Sequence, residues 1–112
     1  MKRFSHLLAG ASWMSEYGDP DKPEDWAFIQ KWSPYQLLTR DAKYPTPFFW
    51  TNTRDDRVHP AHARKMVAKM DSLGHPVYYF ENTEGGHGTG AVSKQQARVT
   101  ALQYAYLWMM LR

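Results

Sequence analysis

The stretch Phe48-Phe49-Trp50-Thr51-Asn52-Thr53-Arg54-Asp55-Asp56-Arg57-Val58 joins an aromatic-rich run to an acidic turn. Its first five residues predict a β-strand, because aromatic and β-branched side chains suit a pleated, half-buried surface. Pro45 and Pro47 precede this run, where the chain enters the strand. The residues that follow are polar, so we expect the strand to end at Asn52.

A second, mostly apolar run, residues 76–81, ends shortly before Gly85-Gly86-His87-Gly88. Its apolar character predicts a strand that is buried on both faces, as in a parallel sheet. Between the runs, residues 61–73 are predicted to form a helix, because Pro60 suits a helix start and Gly74 a helix end. The apolar face of this helix consists of Ala63, Met66, Val67 and Met70. A strand, a helix and a strand in this order predict parallel pairing.

The remaining segments predict short helices and irregular chain. Residues 1–22 carry a Gly-Asp-Pro-Asp turn signal and are expected to be irregular. Helices are predicted over 24–32, 33–38 and 93–111, and the apolar side of the last helix includes Trp108. Two strands make a poor sheet on their own. The fold class is therefore α/β, with about two parallel strands and flanking helices, and the 112 residues are interpreted as one partial domain.

Composition excludes several classes of function. The net charge is +3, and Lys and Arg are interspersed with acids, so the sequence shows no basic stripe and we expect no nucleic-acid partner. The absence of cysteine excludes disulfides, thiolate metal sites and a cysteine nucleophile. Arg98 and Gln103 interrupt the apolar C-terminal segment, so no membrane span is expected. No signal peptide follows Met1, which favours a cytoplasmic location.

An acid and a histidine each follow a predicted strand, the acid being Asp55 or Asp56 and the histidine His87. The carboxyl ends of parallel strands share one edge of a sheet, so both turns are expected at the same edge. A carboxylate on one imidazole nitrogen fixes the tautomer, and the other nitrogen can then take a proton from a nucleophile. This order matches the last two members of the triad in α/β-type serine hydrolases. The alternatives are a turn of helix-capping acids and an ordinary histidine in a flexible loop.

Four short segments occur in a distinctive order. They are residues 13–18 (WMSEYG), 32–35 (WSPY), 55–58 (DDRV) and 86–88 (GHG). Together they resemble the catalytic domain of the prolyl oligopeptidase family of serine peptidases, from about residue 7 to the end of the chain. The resemblance implies the C-terminal part of an α/β-hydrolase fold, a peptide substrate and no cofactor.

The same resemblance implies roles for six residues. Asp55, rather than Asp56, would be the triad acid, and His87 would be the general base. Arg57 would contact a backbone carbonyl of the substrate. Three more residues would line the pocket for the substrate residue that precedes the scissile bond: Trp13, Tyr17 and Val58.

The nucleophile that the family requires is missing. It lies in a Gly-x-Ser-x-Gly turn upstream of the tryptophan-containing segment, and the 112 residues contain no such turn. The nearest sequence, residues 10–14, lacks the second glycine, so Ser12 is interpreted as a loop residue. Two functions stay open. The chain either supplies the acid and histidine to a serine on an upstream segment or on a complementing chain, or it is an inactive truncated domain that binds a partner or self-associates as a homo-oligomer.

A metal site receives little support from the sequence. His59 and His62 are three residues apart and could share a helix face, as metal ligands sometimes do. No acid or third histidine is spaced to complete the site, so we expect no metal.

Overall fold

The structure, a computed structural model, describes residues 1–88 and 93–112. Two 3-10 segments, Phe4–His6 and Leu8–Trp13, lead into three short helices: α1 (Met14–Tyr17), α2 (Pro23–Ile29) and α3 (Pro34–Leu37). The chain continues with β1 (Phe48–Asn52), α4 (Ala61–Ser72), β2 (Tyr78–Asn82) and α5 (Ser93–Leu111). The first strand and the last helix have the predicted bounds, whereas residues 1–22 are more helical than predicted.

β1 and β2 form a two-stranded parallel sheet, as predicted. The register pairs Phe48 with Tyr78 and Asn52 with Asn82. The N–H of Tyr78 donates to the carbonyl of Pro47 at 2.9 Å, and pairing begins there, two residues later than the sequence predicted. Because both strands end at the paired residues Asn52 and Asn82, the turns that follow them begin side by side at the carboxyl ends of the strands.

The prediction that β2 is buried on both faces is wrong within the described part of the chain. Tyr78 is 45% exposed and Tyr79 is 38% exposed. Tyr106 of α5 covers one face: its ring centroid lies 5.6 Å from that of Phe48 and 6.2 Å from that of Tyr78. A strand that borders one other strand and one helix keeps part of its surface open to solvent.

α4 contacts β1 and presents its predicted apolar face inward. Met70 is buried, and the other predicted positions are half-buried: Ala63, Met66 and Val67. Gly74 has φ +82, a left-handed conformation that glycine adopts without strain. Its N–H donates to Asp71 and the N–H of His75 donates to Met70, at 2.9 and 3.0 Å, so the free carbonyls at the helix end are satisfied.

The N-terminal segments pack around Phe4 and Ile29, which are 2% and 0% exposed. Gly10 approaches this centre so closely that a Cβ would lie 1.7 Å from the carbonyl oxygen of Phe4. The neighbouring N–H of Ala9 donates to the carbonyl of Arg57 at 3.3 Å. This contact connects the N-terminal segments to the acidic turn.

α5 has one packed stripe and one open face. Val99 is buried on the packed stripe, where the hydroxyl of Tyr106 donates to the carbonyl of Thr46 at 2.8 Å. Trp108, predicted on the apolar side, is 73% exposed, because only one stripe of the helix reaches a sheet of two strands. No helix in residues 1–88 and 93–112 has both the length and the apolar character that crossing a bilayer requires.

Candidate active site

The turn after β1 holds Asp55 in a fixed orientation. The N–H of Asp55 donates to the carbonyl of Asn52 at 3.2 Å. The Oδ1 of Asp55 accepts the N–H groups of Arg57 at 2.9 Å and Val58 at 2.8 Å. Aspartate favours such turns because its short side chain reaches the backbone two or three residues on. The carboxylate is therefore fixed by the turn that it begins.

The turn after β2 brings His87 back towards the end of β1. Gly85 allows this path, since its φ of +89 lies in the left-handed region. The Nδ2 of Asn52 donates to the carbonyls of Gly86 and Gly88, both at 2.7 Å. Asn52 is 1% exposed, so the backbone on either side of His87 is held from inside the protein.

Sequence reasoning missed the role of Asn52 in this arrangement. An asparagine after an aromatic run is typical of a strand end, and the two carbonyls that it binds lie 34 and 36 positions later. No local pattern signals such a distant contact. The Oδ1 of the same amide is buried and has no hydrogen-bond partner among the described residues.

Asp55 and His87 meet between the two turns. The Nδ1 of His87 lies 3.0 Å from both Oδ1 and Oδ2 of Asp55. The side chain of Asp55 is 9% exposed and that of His87 is 41% exposed, so the carboxylate lies inside and the imidazole is accessible.

The pKa of the Asp55 carboxyl results from opposing influences. Burial, the largest single one, raises it, but the N–H groups of Arg57 and Val58 together with His87 outweigh burial and hold it below its usual value. The carboxylate is thus ionised at neutral pH and favours a proton on Nδ1 of His87. Nε2 is then the nitrogen that can accept a proton.

A second polar cluster fixes the same edge of the sheet. Glu81 accepts hydrogen bonds from the Thr53 hydroxyl at 2.6 Å, from Arg64 Nε at 3.0 Å and from the Tyr79 hydroxyl. Hydrogen bonds from Arg64, Thr53 and Tyr79, in that order of influence, lower the pKa of Glu81 to about 2. The N–H of Thr53 also donates to the carbonyl of Asn82 at 2.9 Å. These contacts connect α4, β2 and the start of the acidic turn.

A cavity of about 600 Å³ lies beside the pair. Its lining includes Asp55, Val58, His87 and three aromatic side chains, Tyr35, Phe49 and Trp50. Mostly apolar walls with a few convergent polar groups are typical of sites that bind a small ligand or one side chain of a larger one.

Of the predicted binding residues, only Val58 belongs to this lining within the described part of the chain. Tyr17 is 38% exposed, and its ring centroid lies 6.0 Å from that of Trp32. Trp13 is half-buried at the end of its 3-10 segment, and Arg57 is exposed. The pocket roles of these side chains stay predictions.

Ser12 was predicted not to be the nucleophile and Asp56 not to be the triad acid, and both side chains are exposed. The Oγ of Ser12 donates to the carbonyl of Ala9 at 2.6 Å, three residues earlier in the same 3-10 segment. The acid that contacts His87 is Asp55, its neighbour in the turn.

His59 and His62 both line the cavity. The Nδ1 of His59 accepts the N–H of Ala61 at 3.0 Å. Burial lowers the pKa of His62, and the nearby terminal amino group, His59 and Lys65 lower it further. In the parts of the chain that the structure describes, no group of three or more His, Cys, Asp or Glu residues could hold a metal.

Known proteins are similar in sequence to the whole of this chain. A model of the prolyl oligopeptidase family matches residues 1–112. This chain belongs to the prolyl oligopeptidase family. An uncharacterized peptidase of Sinorhizobium fredii is 49% identical over 111 residues, which cover 99% of this chain. A prolyl oligopeptidase of Omphalotus olearius is 37% identical over 113 residues, which cover 96% of it.

The fold is also shared with solved structures of the family. A post-proline cleaving enzyme from Rickettsia typhi matches 95% of this chain with a TM-score of 0.87 and 33% identity. The structural neighbours are α/β-hydrolase domains, and this chain matches the C-terminal part of the catalytic domain, as the sequence predicted. The chain spans 15% of the length of the two sequence relatives and 16% of that of the Rickettsia enzyme.

Proposed function

We propose that this chain supplies the acid and the general base of a serine peptidase site, with Asp55 as the acid and His87 as the base. The observation that carries the proposal is their contact, in which both carboxylate oxygens lie 3.0 Å from Nδ1. In serine peptidases the acid orients the imidazole and stabilises the imidazolium that forms. Membership of the family supports the same assignment.

The proposed reaction is acyl transfer to a serine and then to water. Nε2 of His87 removes the proton of the serine hydroxyl as its oxygen attacks the peptide carbonyl, and the leaving amine receives this proton. Water then attacks the acyl-enzyme with Nε2 again as the base. Asp55 stays ionised in both steps, since its pKa is held below the usual value.

The proposed substrate is a peptide with proline before the scissile bond. The names of two relatives, a prolyl oligopeptidase and a post-proline cleaving enzyme, support this choice. Val58 would contact the proline, with Trp13 and Tyr17 completing the pocket, and Arg57 would bind a substrate carbonyl. Aromatic faces suit an apolar pyrrolidine ring because they bury a large area without many rotatable bonds.

The serine is proposed to come from outside the 112 residues. They contain no Gly-x-Ser-x-Gly turn, and the hydroxyl of Ser12 is bonded to the carbonyl of Ala9. β1 pairs with β2 on one side, and no described strand pairs with β1 on its other side. A complementing segment, on the same polypeptide or on another chain, would add a strand beside β1 on this open side of the sheet and bring its serine to His87.

A chimera tests this proposal. The matching segment of the Omphalotus olearius prolyl oligopeptidase is replaced by this chain, and the unaltered enzyme serves as the reference. We expect the chimera to hydrolyse a fluorogenic prolyl peptide and to be labelled at its serine by a fluorophosphonate. The same chimera with His87→Ala is expected to lose both activities, because the serine then has no base.

Two results would contradict the proposal. One is a chimera that melts cooperatively, as the reference does, but neither hydrolyses the peptide nor reacts with the probe. The other is stoichiometric labelling of Ser12 in this chain alone, which would place the nucleophile inside the 112 residues.

The open face of α5 favours a second function, association without catalysis. It exposes several large apolar side chains, among them Tyr104, Leu107, Trp108, Met110 and Leu111. Apolar patches of this kind mark interaction surfaces. This second function predicts a chain that sediments as an oligomer, dissociates on Trp108→Lys, and gives a folded but unlabelled chimera.

A further inference from the structure

We infer that Asn52 is a positioning residue for His87, an inference that rests on the proposed function of the Asp55–His87 pair. Both hydrogens of its side-chain amide are used, one on the carbonyl before His87 and one on the carbonyl after it. Both hydrogen bonds are 2.7 Å long, and the amide is buried at the end of β1. The backbone is therefore held on each side of the imidazole.

The same residue also holds the turn of the acid. The carbonyl of Asn52 accepts the N–H of Asp55 at 3.2 Å. Asn52 is in turn the last residue of β1 in register with β2, opposite Asn82. The two turns thus share one anchor, and it holds them through their backbone rather than through hydrogen bonds to the carboxylate or the imidazole.

The turn that carries His87 needs such an anchor. Residues 85, 86 and 88 are glycines, which leave the backbone many conformations. Among the described residues, the side chain of Asn52 holds the backbone of residues 85–88 through its hydrogen bonds to Gly86 and Gly88. A misplacement of about 1 Å in a reacting group can lower a rate about 100-fold, so a loosened turn would slow the reaction without removing any reacting group.

Asn52→Leu and Asn52→Asp test this inference. The first removes both donors at similar volume, and the second replaces them with carboxylate oxygens that repel the two carbonyls. Asn82→Leu is the matched control, because Asn82 ends β2 at the paired position and its amide bonds the carbonyl of Glu84, at the start of the turn, rather than the carbonyls on either side of His87. Imidazole ¹⁵N chemical shifts of the full chain report which nitrogen of His87 carries the proton.

We expect His87 to be protonated on Nδ1 in the unaltered chain and in Asn82→Leu, and to become a mixture of tautomers in both Asn52 variants. In the chimera with the Omphalotus olearius enzyme, we expect Asn52→Leu to lower kcat about ten- to 100-fold while KM changes less than about twofold. A residue that served stability alone would lower the melting temperature and leave the tautomer unchanged.

The outcomes separate this inference from the proposed function. If the Asn52 variants match Asn82→Leu in tautomer and in kcat while Asp55→Asn disturbs both, the inference is overturned and the acid–base pair stands. If Asp55→Asn also leaves the tautomer unchanged, the pair itself fails. Should Asn52→Leu not fold, Asn52→Asp decides between these outcomes by the same two measurements.

Discussion

The strand-end corner, residues 52–58 and 85–88, differs from the open face of α5. Polar groups of the corner find hydrogen-bond partners within this chain, whereas the apolar side chains of the open face stay exposed. In the corner, one buried amide and two backbone N–H groups fix the carboxylate and the turn of the histidine. On the open face, Trp108 is 73% exposed and Leu111 is 82% exposed. The geometry of the Asp55–His87 pair is thus fixed by hydrogen bonds within this chain, whereas the open face of α5 has no packing partner among the described residues.

The largest expected effect comes from removing the base in the corner. His87→Ala in the chimera should lower kcat by about 10⁶-fold, because removal of the histidine from a triad costs about as much as removal of all three members. Rates of prolyl peptide hydrolysis with a saturating substrate measure the effect. His75→Ala is the control, since its imidazole contacts the carbonyl of Thr39 on another part of the chain. Equal losses in the two variants would mean that the corner is not the reacting site.

Replacement of the acid should have the next largest effect. Asp55→Asn keeps the shape of the side chain but favours the wrong tautomer of His87, so we expect kcat to fall about 10⁴-fold. Asp56→Asn makes the same change one residue later, at an exposed side chain, and should alter kcat less than about twofold. If Asp56→Asn proves the more damaging variant, the acid has been assigned to the wrong residue.

The two faces of α5 are compared by two substitutions on the same helix. Tyr106→Ala removes a ring that packs on Phe48 and Tyr78 and a hydroxyl that binds Thr46. We expect it to lower the free energy of unfolding of this chain by about 2–3 kcal/mol, as large-to-small changes at packed aromatic positions do. Urea denaturation followed by circular dichroism measures this loss.

Acid unfolding tests the polar cluster beside the corner. The pKa of Glu81 falls from 4.5 to about 2 on folding, so its contribution to stability is complete above pH 4.5 and is lost as the pH falls towards 2. Glu81→Gln should flatten the pH dependence of the urea midpoint in this window, because glutamine does not titrate. Glu16→Gln, at an exposed position on α1, should leave the slope as it is. Identical slopes in the two variants would show that the contacts with Arg64 do not hold in solution.

The smallest effect is expected on the open face. Trp108→Ala should change the free energy of unfolding of this chain by less than about 0.5 kcal/mol, since an exposed side chain loses little on truncation. Its position two residues from Tyr106 makes it the direct counterpart of Tyr106→Ala. A loss as large as that of Tyr106→Ala would show that the open face is covered in solution, and sedimentation would then identify a second copy.

Much of the fold was predictable because its signals are local. The aromatic run of β1 and the helix between Pro60 and Gly74 each have propensity, spacing and end signals that agree. The order of elements then predicted the parallel pairing. The start of β2 was placed too early because Pro76 and Val77 continue the apolar pattern, whereas the pairing begins only where Tyr78 meets Pro47.

The candidate site was predictable only in part, because some of its contacts join residues that are distant in the sequence. Asp55 and His87 each follow a strand, so the sequence could place them at one edge of the sheet, and the structure brings them into contact. The amide of Asn52 could not be foreseen, since its partners are distant backbone carbonyls. The exposure of Trp108 was missed because an apolar helix pattern does not tell how many of its faces the rest of the molecule covers.

Because β1 and β2 end at paired residues, the spacing of Asp55 and His87 does not depend on the length of the segment between α4 and β2. Asp55 is the third residue after Asn52, and His87 is the fifth after its partner Asn82. An insertion between α4 and β2 would lengthen a surface loop at small entropic cost and leave this spacing unchanged. A deletion of one residue from either short turn would shift one partner by up to about 3.3 Å, which is more than the 3.0 Å contact can absorb. We therefore expect the loop between α4 and β2 to tolerate changes in length. Changes in the few residues that follow each strand should separate Asp55 from His87.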